Sequence, residues 1–129
     1  MANTNYTYQC NCPSLLRYET LYGQNSAAHW MTIQLAQLFF LSSSKDSSVA
    51  DSIKQFASLL AVDVRHYKLS EIMLFFSRFA VGRYGGNSWQ SFDLRRIGIA
   101  FHQEFLPERN LELARIEREQ QQAMREQSK

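Results

Sequence analysis

A chain of 129 residues has room for one hydrophobic core, and 45% hydrophobic with 13% aromatic residues excludes general disorder. The net charge of +2 is spread unevenly: residues 65–96 hold six basic against two acidic side chains, a local excess of +4, and the segments on either side are each −1. Such a local excess is what attracts a polyanion.

Residues 1–12, "MANTNYTYQCNC", are polar and are expected to form a flexible arm. They have neither a basic n-region nor an apolar run, so they do not read as a signal peptide. Cys10 and Cys12 are the only cysteines. A C-x-C pair supplies two thiolates where zinc takes about four ligands, and His29, His66 and His102 stand singly. No metal or cofactor is therefore expected. Two cysteines beside a large aromatic core fit a reducing cytoplasm better than a disulfide scaffold.

Pro13 suits the first turn of a short helix, "PSLLRYETLY", closed by Gly23. Asn25 or Ser26 caps a second helix to about Leu41. Its apolar residues (Trp30, Met31, Ile33, Leu35, Leu38, Phe39, Phe40, Leu41) fall on all sides at 100° per residue, the pattern of a central helix. His29, Thr32, Gln34 and Gln37 interrupt the run, which is too short to span a bilayer. "SSSKDSS" reads as a polar linker. A third helix follows with one stripe, Val49, Ile53, Phe56, Leu60, Val64 and Tyr67, opposite Asp51, Lys54, Gln55, Ser58 and Arg65.

Ser70 is expected to cap the fourth helix, with Leu69 and Leu74 as a hydrophobic staple and Glu71 at the positive end of the dipole. Ile72, Met73, Leu74, Phe75, Phe76 and Phe79 leave only a narrow strip for Glu71 and Arg78. A carboxylate such as Asp63 is needed to pair Arg78, since Glu71 lies two turns away. Gly82 ends this helix as a left-handed C-cap. Ser91 or Asp93 caps a fifth helix, in which Leu94, Ile97, Gly98, Phe101 and Phe105 face inward and Arg95, Arg96, His102 and Gln103 face out. Pro107 kinks it or restarts it as a sixth. Past Ile116 almost nothing is apolar, so residues 117–129 read as a solvated helix end, with Arg115 and Glu119 paired at i, i+4. No alternation of strand length occurs, so the class is all-α: one domain over residues 13–116, with helices 26–41 and 70–81 at its centre.

The functional reading centres on "GRYGG". Arg95 and Arg96 occupy a first helical turn, where the dipole disfavours cations, and a local rule violation is a reason to look for function. If the loop 82–92 folds over that helix start, Arg83, Arg95 and Arg96 converge as phosphate contacts beside Tyr84 and Trp89 as base-stacking or anchoring groups. The plainer reading is a solvated face with a glycine turn and a tryptophan packed on the core, and a third is recognition of an acidic protein. No P-loop, dinucleotide fingerprint, G-x-S-x-G or H-E-x-x-H is present, so neither nucleotide binding nor an enzyme is expected.

The stretch "KLSEIMLFFSRFAVGRYGG…SFDLRRI…FLPERN" resembles a family of small, uncharacterised helical proteins encoded by Bacteroidetes phages and mobile elements. Their shared core runs L-S-E-x-x-L-F-F-x-x-F-x-x-G-x-Y-G, followed by an Asp-Pro helix start and a late E-R-N. Leu69, Ser70, Glu71, Leu74, Phe75, Phe76, Phe79, Gly82, Tyr84 and Gly85 match in order, and Asp93 and Glu108-Arg109-Asn110 fit the later part. The likeness covers about residues 50–112. The sequence departs from it at Gly86-Asn87-Ser88-Trp89 and at Asp93-Leu94, where the family has a second Tyr-Gly and the Asp-Pro, which puts the loop's ligand in question. The resemblance implies work on mobile-element DNA or on the replication machinery. The expectation is thus a cytoplasmic, non-enzymatic, nucleic-acid-associated accessory protein. The alternative is a protein–protein adaptor or inhibitor of a replication or defence factor.

Overall fold

The computed structural model of the chain describes residues 5–40, 47–84 and 94–127. The fold is all-α, and no strand is present among the described residues. In chain order the helices are α1 (Asn5–Gln9), α2 (Leu15–Tyr22), α3 (Ser26–Phe40), α4 (Ser47–Asp63), α5 (Leu69–Ala80), α6 (Leu94–Ala100) and α7 (Leu106–Gln127). A π-turn over Phe101–Phe105 joins α6 to α7, making one continuous 34-residue helix.

Pro107 therefore does not restart this helix, which runs on through it. A proline there has no N–H for the carbonyl four residues back, and its ring presses on that carbonyl. The chain widens just ahead of it instead: the Leu106 N–H donates to the Phe101 carbonyl, five residues back. The extra residue in that turn rotates everything downstream by about 100° relative to an uninterrupted helix.

Each helix is held by the stripe it buries. α4 covers Ile53, Ala57, Leu60 and Ala61, with Val64 buried just past its end, and α5 covers Ile72, Phe75, Phe76 and Phe79. α3 differs from the expectation of a helix buried all round. It buries Ala27, Met31, Leu35 and Leu38, an i, i+4, i+8, i+11 stripe, and leaves Ile33 and His29 exposed. Phe75 is the hub of the core. Its ring meets Phe101 edge-on at 5.1 Å and Phe105 at 5.4 Å, and stacks on Tyr84 at 5.8 Å.

The links between helices are tied by backbone hydrogen bonds. Leu15 and Leu16 N–H groups, orphans of the first turn of α2, donate to the Tyr67 and Arg65 carbonyls at 3.0 and 2.9 Å. Leu69 N–H, which opens α5, donates to the Pro13 carbonyl at 3.0 Å. Ser14 is the N-cap of α2, accepting from the Arg17 N–H at 3.2 Å. Gly23, with φ 106°, ends it, and Gly82, with φ 83°, follows the end of α5.

The N-terminal segment departs from the expected flexible arm. Residues 5–9 form α1, which lies against α5 with Tyr8 buried. A five-residue helix has no stability of its own, so its order comes from tethers. Lys68 Nζ donates to the Tyr8 and Cys10 carbonyls at 2.6 and 3.0 Å, Ser70 Oγ donates to the Thr7 carbonyl at 2.7 Å, and Arg115 Nη2 reaches Asn5 Oδ1 at 2.8 Å. Ser70 consequently does not cap α5; Lys68 occupies the cap position without a side-chain bond to the helix.

Candidate functional site

The basic segment reaches its place because α5 ends at Ala80 and turns through Gly82, carrying Arg83 and Tyr84 toward α7. There the guanidinium groups meet carboxylates. Arg78 Nη2 lies 2.8 Å from Glu112 Oε1, and its Nη1 lies 4.0 Å from Glu108 Oε1. Arg83 forks onto Glu108 through Nε, at 2.8 Å, and Nη2. Arg96 donates to the Tyr84 carbonyl and lies 3.4 Å from Glu104. Arg109 donates to the buried Glu71 at 2.9 Å while covering the Tyr67 ring at 4.9 Å. Four arginines thus face four glutamates, and the cluster is neutral as a unit.

The expected site residues fare differently. Tyr84 is 7% exposed and stacked on Phe75, so its face is already used by the core and is not open to a base. Burial, together with the nearby charge of Glu108, pushes its phenol well above the ordinary range. Arg83 and Arg96 do approach Tyr84, as expected, but as tethers between the α5 turn and the long helix. A phosphate would have to displace Glu108 or Glu104 to reach them. Arg95 lies on the exposed side of α6. Trp89, Gly85, Gly86 and the caps Ser91 and Asp93 lie outside the described residues. Arg78 pairs with Glu112 and Glu108, and Asp63 meets His102 instead. Burial alone would weaken the Arg78 charge, but the hydrogen bond and charge of Glu112 outweigh it and raise its pKa.

What the sequence reading missed was the acidic side of this arrangement. Glu104, Glu108 and Glu112 recur every four residues, a stripe on one helical face that was available in the sequence. Among the described residues, no group of three or more His, Cys, Asp or Glu is placed to hold a metal ion.

A second feature was not anticipated. The N-terminal half of α2, the start of α3 and the last two turns of α4 enclose an open groove of about 270 Å³. Its lining is mostly apolar, from buried Leu15, Ala27 and Ala61 to exposed Leu16 and Val62, and it includes the charged Glu19 and Arg65. Val62 is 62% exposed, and Leu59, one turn earlier on α4, is 72% exposed. The groove exists because the small residues Ala27, Ala28 and Ala61 let α3 and α4 approach without filling the space beside α2.

Comparison with protein-family models, curated proteins and solved structures finds no match to this chain.

Proposed function

We propose that this chain is a non-enzymatic adaptor that binds an apolar helix of another protein in the groove between α2, α3 and α4. The observation that carries this reading is the pairing of exposed Leu16 and Val62 along a ready concavity. Arg83 and Arg96, two of the arginines that would serve a nucleic acid, are meanwhile engaged by Glu108 and Glu104 of the same chain. Interfaces are organised around apolar anchors in pockets with a polar rim. Glu19 and Arg65 bring both signs of charge to the lining of this groove, which suits a partner helix that has a basic and an acidic side chain beside its apolar face. The resemblance to a family carried by phages and mobile elements makes a replication or defence factor the class of partner.

The test is capture by the tagged chain with and without nuclease, at low and high salt, alongside Val62→Asp and Leu16→Asp. An apolar-anchored interface survives nuclease and tolerates salt, and both substitutions abolish capture of the same protein. Retention that disappears with nuclease and falls steeply with salt would instead restore the nucleic-acid reading. Capture unchanged by both substitutions would remove the groove from the account.

A further inference from the structure

The C-x-C pair, which the adaptor reading does not use, is held in a defined setting. Cys10 follows α1 at a bend, and its Sγ lies 2.8 Å from Cys12 Sγ and 3.4 Å from Ser70 Oγ. Both cysteines are unbonded thiols and half-buried, with exposed Gln9 and Asn11 beside them. The two sulfurs are inside van der Waals contact yet outside bonding distance, so closing the bond requires little movement. Lys68 fixes the backbone from the other side by binding the Tyr8 and Cys10 carbonyls. Ser70 belongs to the first turn of α5, a twelve-residue helix whose positive end favours a thiolate nearby. Two thiols are too few for a zinc site, and no third metal ligand of the His, Cys, Asp or Glu type stands with them among the described residues. The geometry therefore suits sulfur–sulfur chemistry.

We propose that Cys10 and Cys12 form a thiol–disulfide exchange site, oxidised to an intramolecular disulfide by small disulfides of the glutathione class. Cys10 is the attacking sulfur and Cys12 the resolving one. Burial opposes ionisation of Cys10, but hydrogen bonding from Cys12 and the charge of Lys68 are among the effects that outweigh it and lower its pKa. Cys12, hydrogen-bonded to Cys10 and partly desolvated, is raised. In the first step the Cys10 thiolate attacks one sulfur of the small disulfide. That S–S bond breaks, and the second half leaves as a thiolate that takes up a proton equivalent to the one Cys10 released. In the second step Cys12 loses its proton to solvent and attacks Cys10 Sγ. The mixed disulfide breaks, the other small thiol leaves protonated, and the Cys10–Cys12 bond remains. Two protein thiols are oxidised and one small disulfide is reduced to two thiols, so no further oxidant is required.

The experiment exposes the full chain to glutathione disulfide, quenches with acid, alkylates free thiols and locates modifications by peptide mass. The wild type is expected to lose two hydrogens across Cys10–Cys12 without accumulating an adduct. Cys12→Ser should stall as a glutathione adduct on Cys10, and Cys10→Ser should react about tenfold more slowly. The same comparison in urea controls for folding, and the rate contrast should vanish there. Equal rates for the two single variants under native conditions would overturn the proposal, as would a contrast that persists in urea. Double adducts or disulfide-linked dimers as the main wild-type product would do the same.

Discussion

Arg78 on α5 and Glu112 on α7 are joined at 2.8 Å, with side chains only 11% and 18% exposed. This contact clamps the long helix to the core helix, and Glu108 extends it to Arg83. Removing either partner strands a charge in a poorly hydrated place. Arg78→Ala or Glu112→Ala should each destabilise the fold by about 3–5 kcal/mol, whereas replacing both by Met and Leu should cost much less. Urea unfolding of the single and double variants measures this. Single losses below about 1 kcal/mol would mean the pair is effectively solvated.

Arg83 makes the contrasting case, because its side chain is half exposed while it holds Glu108. Arg83→Ala should change stability by only about 0–1 kcal/mol. It should also leave retention on heparin little altered, since the group is engaged by a carboxylate before any polyanion arrives. A salt dependence of retention that drops by about one unit in log–log slope would identify Arg83 as a phosphate contact after all.

Phe75 touches the rings of Phe79, Tyr84, Phe101 and Phe105, so its loss opens a cavity between α5 and both sides of the π-turn. Phe75→Ala should cost about 3–5 kcal/mol. Equilibrium denaturation decides the matter: a loss under about 1 kcal/mol would place the core elsewhere.

Tyr8 and Tyr84 both have phenols raised by burial, with Glu112 adding to the first and Glu108 to the second. A folded pKa above the unfolded one means the native state keeps its proton after the unfolded chain has lost it. The contribution is complete below the unfolded value of 10.0 and is lost as pH rises from there toward the folded value. Unfolding free energy should therefore fall above about pH 10, and Tyr8→Phe with Tyr84→Phe should flatten that decline. An alkaline limb of unchanged slope in the double variant would show that other groups control it.

Residues 117–127 continue α7 with every side chain exposed, and Ile116 is the last buried residue of the helix. Truncation after Gln120 should leave Tm within about 2 °C of the intact chain, because almost no apolar surface is uncovered. A fall of many degrees would reveal that this end of the helix associates with another copy.

Much of this architecture follows from patterning that needs no neighbour. The α4 stripe from Ile53 to Ala61 is written at helical spacing. The Phe-rich face of α5, with Gly82 at positive φ beyond its end, and the unburied tail past Ile116 are equally local. Period, turn residue and composition determine such features because they depend on side chains a few positions apart. α3 shows where periodicity stops. Its residues are apolar on several sides, and only the packing of its neighbours selects the Met31–Leu35 face and leaves Ile33 outside.

The candidate site lay beyond that limit. A cationic segment at residues 65–96 was legible, yet the identity of its counterions depended on how the last helix is rotated. The π-turn ahead of Pro107 sets that rotation by about 100°, and it turns Glu108 and Glu112 toward Arg83 and Arg78. The same long-range contacts buried Tyr84 against Phe75 and tied the polar N-terminal residues to Lys68 and Ser70. Composition and spacing determined that this chain is helical, where α2 to α5 begin and end within a few residues, and that its charge is concentrated in the middle. Tertiary structure alone decided whether that charge is available. An ion pair between residues 34 positions apart is set by helix rotation and packing, for which a one-dimensional pattern contains no term.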